Sequence, residues 1–344
     1  SSSKFLYLQV GLVILILGLI IIYQFINAIV ANLLFYTKDL KDSFFRTTAI
    51  LTNRYNAVIL IIPSITIIYF AIILPISYDE AWTYLNFSSR NFFVSLSYYP
   101  APNNHILHSL ITNLTHLIFP DFPIFSLRIN VVATTILTFL VALYTTKKHF
   151  NNHISIAIVG IMSVLFMNIY YGYMSRGYSL VLLFFIISFH FALKIVENPN
   201  VSRNWVWFTV FSILGFFSIP SYLYPYLSLN FLILFFNFNK SFILEQLRFS
   251  FFTVLLTIVL YLPTILVSGL NALTGNQFVA PKSRAVVFSR LPEFFQYTIN
   301  DITGFNPAFV LILVGISLVF LIKNREWFYL QLFFIFLILP PILL

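Results

Sequence analysis

Cysteine is absent from the chain, which excludes disulfides, thiolate nucleophiles and cysteine-ligated metals. Charge is scarce as well. Asp, Glu, Lys and Arg make up 8% of the residues, against about 25% in soluble domains. That scarcity excludes an ordinary water-soluble core. Acids are scarcest of all, with 10 in 344 residues, so two of them side by side need a reason.

Apolar residues fill the space, at 60% of the chain, with 42 Phe and 20 Tyr. The apolar runs are long and continuous, not short and alternating, so the expected fold is all-α and not an outer-membrane barrel. A span needs about 20 apolar residues. The candidates are 5–36, 56–77, 124–146, 154–173, 177–196, 205–220, 222–238, 249–267, 307–322 and 327–344. This predicts a polytopic transmembrane bundle of about ten spans. No internal repeat divides it, so 1–344 reads as a single transmembrane domain. The segment 103–119 is shorter and interrupted by Asn and His. It reads as a re-entrant or interfacial helix in the first long outer loop. The chain begins without Met and stops inside an apolar run, and it reads as open at both ends.

The net charge of +9 first suggests positive-inside loops, and nucleic acid is not an expected partner. Placing Asp79 outside puts Lys38, Lys41, Arg46, Arg54, Lys147, Lys148, Lys194, Arg203, Lys240, Arg248, Lys323 and Arg325 inside. Only Arg90, Arg128, Arg176, Lys282, Arg284 and Arg290 then lie in outer segments. Span counting thus brings Asp79, Glu80, His105, Arg176 and the loops 78–104 and 268–306 to one face.

Asp79 and Glu80 are about 100° apart on a helix, so one can face a cavity while the other takes a structural role. In Pro100-Ala101-Pro102-Asn103-Asn104-His105, Asn103 reads as the N-cap of a helix carrying His105 and His108 on one face. The histidines suit hydrogen bonds to phosphate or sugar. A divalent metal held with an outer carboxylate is the alternative. Arg176 sits at a hairpin tip, where its planar fork suits a phosphate; pairing with Asp79, Glu80 or Asp121 is the structural alternative. Arg128 reads as an anchor or as the partner of Asp121. His190, inside a span, reads as a donor to a neighbouring helix. Lys282 and Arg284 read as holding a lipid phosphate or covering the site, or as solvated loop cations.

The order of these pieces resembles the GT-C class of polytopic membrane glycosyltransferases, nearest to protein O-mannosyltransferase and aminoarabinose transferase types. The matching residues are Asp79-Glu80-Ala81, Pro102-Asn103-Asn104-His105, Leu127-Arg128 and Ser175-Arg176-Gly177-Tyr178, within 56–200. The family commonly has His-Pro-Pro where this chain has Asn103-Asn104-His105, and the span 5–36 is additional. The resemblance implies a polyprenyl-phosphate-sugar donor and an acceptor hydroxyl on a protein, lipid or glycan. Transfer inverts the anomeric centre on the outer face of a bacterial inner membrane. Asp79 is then the general base, with Glu80 orienting the site. Arg176 and His105 neutralise the leaving phosphate, while Asn104, His108, Tyr178, Lys282 and Arg284 contact substrate. No cofactor is required. The competing readings are a transporter or flippase of a lipid-linked substrate, a non-catalytic subunit of a membrane complex, and a metal-dependent membrane hydrolase.

Overall fold

The computed structural model describes residues 53–274 and 283–343, with a few isolated positions before residue 53. Among the described residues every regular element is helical. The expected span 5–36 and Lys282 lie outside them, and only the backbone of Arg284 is described.

Asparagine starts many of the helices. Its side chain accepts a first-turn N–H at Asn53 for α1 (Arg54–Ile73), Asn91 for α3 (Phe92–Ser97), Asn151 for α6 (Asn152–Val164), Asn239 for α11 (Lys240–Ser268) and Asn306 for α14 (Pro307–Lys323). The others, in chain order, are α2 (Tyr78–Thr83), α4 (Ile106–Ile118), α5 (Pro123–His149), α7 (Phe166–Tyr173), α8 (Tyr178–Glu197), α9 (Ser202–Ser218), α10 (Leu223–Phe236), α12 (Leu270–Thr274), α13 (Arg284–Thr303) and α15 (Trp327–Leu343). A single π turn, Tyr84–Ser88, follows α2.

Four helices are long and apolar enough to cross a membrane: α1, α5, α8 and α11. The number rises to six if the bent pairs α6–α7 and α13–α14 each count as one span. The expected span 154–173 is therefore two helices, bent by 63° at Leu165. Asn168 Nδ2 bridges the break by donating to the Met162 carbonyl at 2.8 Å. Helices α9 and α10 have 17 and 14 residues, because Pro220 opens a 3-10 turn between them. The expected outer loop 268–306 is largely helix, with α13 alone taking 20 residues.

Helix α5 lies against α1, α4, α6, α7 and α8, and α8 lies against α9 and α10. Between α9 and α10, the Tyr222 ring is wholly buried and fills the space a side chain at Gly215 would need: a Cβ there would sit 2.5 Å from the ring. Outward faces are apolar, with Ile61, Ile62, Ile65 and Ile72 exposed on α1 and Leu247, Phe251 and Val254 on α11. A soluble monomer rarely leaves apolar faces of that extent bare, and lipid is their natural solvent. The chain is therefore built as an integral membrane protein.

One end of the bundle gathers the segments 74–122, 174–177 and 268–274. Ser268 Oγ accepts the Tyr99 N–H, and Thr264 Oγ1 donates to the Leu96 carbonyl. The opposite end joins α5 to α8 through Glu197, His149 and His190, whose side chains form a chain with steps of 2.8 and 3.1 Å. His190 thus reaches a neighbouring helix, as its position predicted.

Candidate functional site

The site begins at Ser77. Its hydroxyl accepts the Glu80 N–H at 3.3 Å, and its own N–H donates to Glu80 Oε2 at 3.0 Å. This capping box turns Glu80 inward, and helical geometry turns Asp79 away from it. Glu80 is 1% exposed, whereas the Asp79 side chain is 44% exposed.

Glu80 is fully engaged. Oε1 accepts from Arg128 Nε at 2.9 Å and from the Ser175 N–H at 2.9 Å, and Oε2 also accepts from Arg128 Nη2 at 2.7 Å. Arg128 spends its remaining donors on the carbonyls of Ala71, Leu74 and Pro75. Its partner is Glu80, not the expected Asp121, because α1 ends above the first turns of α5 and delivers α2 onto the guanidinium. Burial pushes the Glu80 carboxyl up, but the bonds from Arg128, Ser77 and Ser175 outweigh it and hold the group below its ordinary value of 4.5.

The turn 174–177 between α7 and α8 is bolted to the same assembly. Ser175 Oγ donates to the Leu127 carbonyl at 2.9 Å, so it accepts from His108 Nε2 at 3.0 Å. His108 therefore carries its proton on Nε2, and its Nδ1 is buried without a partner. The Gly177 N–H donates to His105 Nδ1 at 2.8 Å, which places the His105 proton on Nε2. Only glycine fits here, since a Cβ at 177 would lie 2.8 Å from the His105 Cβ. Asn104 donates to the carbonyls of Ser95 and Tyr98 and accepts from Ser109 Oγ.

Asn104, His105 and His108 are all buried. The bonds made by Asn104, His105 Nδ1 and His108 Nε2 fasten α4 to its surroundings. The helix cap differs: His105, not Asn103, occupies the N-cap of α4, without a side-chain bond. Tyr178 is partly exposed, with the His105 ring edge-on at 5.1 Å and the Tyr171 ring at 4.2 Å.

Arg176 is the buried charge whose donors are left open. Its side chain is 7% exposed, yet Nε and Nη1 are buried without a hydrogen-bond partner. Asp79 Oδ2 approaches Nη1 only to 4.0 Å, beyond hydrogen-bond range. Burial first, and then the Arg176 charge, holds the His105 imidazole well below its ordinary range and His108 down to about 3. Burial pushes Tyr99 up to about 12 against the pull of the same guanidinium. A buried cation with open donors is costly unless an anion completes it. A cavity of about 150 Å³ lies between α5, α7 and α8, lined by Thr138, Asn168, Tyr171, Gly172, Tyr178 and Ser179 but not by Arg176. Among the described residues no three of His, Asp and Glu converge as metal ligands.

The two histidines fix the sign of the acid response. Their folded-state pKa values are depressed, so the unfolded chain takes up protons first as pH falls below 6.5. Stability is expected to decline by up to about 1.4 kcal/mol per pH unit for each histidine in that range. Glu80 adds to the loss below 4.5, as pH falls towards its lowered folded value. Unfolding midpoints in detergent between pH 7 and 4 check this, and His105→Asn with His108→Asn should flatten the upper part of the curve. No protein-family model, curated protein or solved structure matches this chain.

Proposed function

We propose that the protein is a GT-C-type membrane glycosyltransferase that moves a sugar from a polyprenyl-phosphate donor to an acceptor hydroxyl. The observation that carries this reading is the contrast between the two buried arginines at one end of the bundle. Arg128 has all its donors spent within the protein, while Arg176 keeps Nε and Nη1 open beside the half-exposed carboxylate of Asp79. A phosphate is the ligand whose charge and geometry complete a guanidinium fork.

On binding, the donor phosphate takes the place of Asp79 beside Arg176. The freed carboxylate accepts the proton of the acceptor hydroxyl. The acceptor oxygen bonds to the anomeric carbon, the bond from that carbon to the phosphate oxygen breaks, and polyprenyl phosphate leaves with its charge held by Arg176. Attack and departure lie on opposite faces of the sugar, so Asp79 must separate from Arg176 by a ring's width. Glu80, through Arg128 and Ser175, positions both. Under this reading α9, α10, α15 and the segment 5–36 complete about ten spans. The Asp79 end then faces the exterior of a bacterial inner membrane, and the lysine-rich opposite end faces the cytoplasm.

The test is transfer in proteoliposomes, with radiolabelled polyprenyl-phosphate sugars and native membrane extract as acceptor. Wild-type protein should move label, and Arg176→Gln should lose about 10²–10³-fold of the rate. A folded wild-type protein that transfers from no donor overturns the proposal. A transporter or flippase of a lipid-linked substrate would then be the stronger reading.

A further inference from the structure

We infer that α13 lies flat in the membrane surface as an interfacial helix, with one stripe in the acyl region and the other in water. The spacing of its residues divides it lengthwise. Phe288, Leu291, Phe295, Ile299 and Ile302 follow i, i+3, i+7, i+11, i+14 and share one face. Ser289, Glu293, Gln296 and Asn300 form a separate polar stripe, and the flank beyond it carries Arg290 and Asp301 together with the exposed rings of Phe294 and Tyr297. Phe288 is 71% exposed and Phe295 50%, and Leu291 and Ile302 are exposed too, so the described residues leave most of the apolar face bare and cover only Ile299 in part.

The geometry of the corner selects the partner. Gly304 adopts a left-handed conformation (φ 70°, ψ 5°) and closes α13 by donating to the Asn300 carbonyl at 2.7 Å. Asn306 caps α14 at once, with Pro307 in its first turn. The axis turns by 82° between 288–303 and 307–323. Helix α14 is an apolar rod whose only charge is its terminal Lys323, suited to run along the membrane normal. A helix at 82° to it runs in the plane.

Crossing the bilayer would instead place Arg290, Glu293 and Asp301 in hydrocarbon, at considerable cost. Pro292 also leaves the Phe288 carbonyl without its helical donor; interfacial water supplies one, and the hydrocarbon core does not. An exposed apolar stripe, a polar opposite face and a right-angled exit into a span fit a lipid surface. The inner flank of α13 rests on α7, the helix that leads into Arg176. The inference stands on α13 and its corner alone and does not depend on the proposed transfer reaction.

The absence of cysteine makes the test clean. Six single variants, Phe288→Cys, Leu291→Cys, Phe295→Cys, Ser289→Cys, Glu293→Cys and Gln296→Cys, are spin-labelled in liposomes. Collision rates are read with oxygen, which partitions into lipid, and with a water-soluble nickel chelate. The expected pattern oscillates with the helical period of about 3.6 residues. The first three labels favour oxygen at one common depth, and the last three favour nickel. Three results would overturn the inference: a depth that increases steadily along the helix (a broken span), nickel access at all six sites (a solvated helix), or a stripe closed to both reagents (a protein partner). Unlabelled Cys variants with wild-type unfolding midpoints establish that the fold is retained.

Discussion

Asp79→Asn is expected to insert and fold normally and to transfer sugar about 10²–10⁴-fold more slowly than wild type. The exchange keeps the shape of the side chain and removes its ability to take a proton. Little stability should go with it, because the carboxylate is 44% exposed and its contact with Arg176 is 4.0 Å long. The readouts are initial transfer rate in proteoliposomes and the unfolding midpoint of the same preparation. A folded variant with full transfer would remove Asp79 from the chemistry. Loss of rate together with a collapsed midpoint would give the residue a structural role instead.

The largest stability effect is expected at Arg128. Arg128→Leu leaves the Glu80 charge buried without its cation, and it strips donors from the carbonyls of Ala71, Leu74 and Pro75. Breaking a buried pair in this way costs about 3–5 kcal/mol. Arg128→Leu with Glu80→Leu should recover part of the loss. Recovery stays incomplete because the N–H groups of Ser77 and Ser175 lose their acceptor. Arg176→Leu is the informative comparison. Arg176 is as deeply buried but has open donors, so its removal should be far less damaging to the fold. Denaturant unfolding of the three variants in one detergent checks the order, and equal losses at Arg128 and Arg176 would contradict the contrast on which the phosphate site rests.

Much of this was legible in the sequence through simple geometry. The divergence of Asp79 and Glu80 follows from 100° per residue, and the capping box realises it. Span counting placed Glu80, His105 and Arg176 at one end, and the bonds from Glu80 to Ser175 and from Gly177 to His105 are the physical form of that placement. The turn at 174–177 was marked by polar residues between apolar runs. The partner of Arg128 was not legible. Asp121 is seven positions away and Glu80 forty-eight, and only the packing of α1 on α5 decides between them. The break at Leu165 carries no glycine or proline, so composition gave no warning. The region 268–306 was read as loop because it lies between the expected spans 249–267 and 307–322, although the amphipathic period of α13 was already written there. His149 and Glu197 close the opposite end across forty-eight residues, a relation that periodicity within one helix does not contain.

The mount of Arg176 draws on separated parts of the chain. Ser175 and Gly177 are held by residues 95, 72, 67 and 48 positions earlier, from three stretches: around Glu80, around His105 and His108, and around Leu127. No local piece of the polypeptide can prefigure that arrangement. During membrane insertion the mount of Arg176 is complete only once these stretches have come together. If Arg176 holds phosphate as proposed, a chain that has threaded its helices wrongly would lose that response. Phosphate protection of the fold would thus report correct assembly of the whole bundle, and it would do so in a single measurement without any turnover.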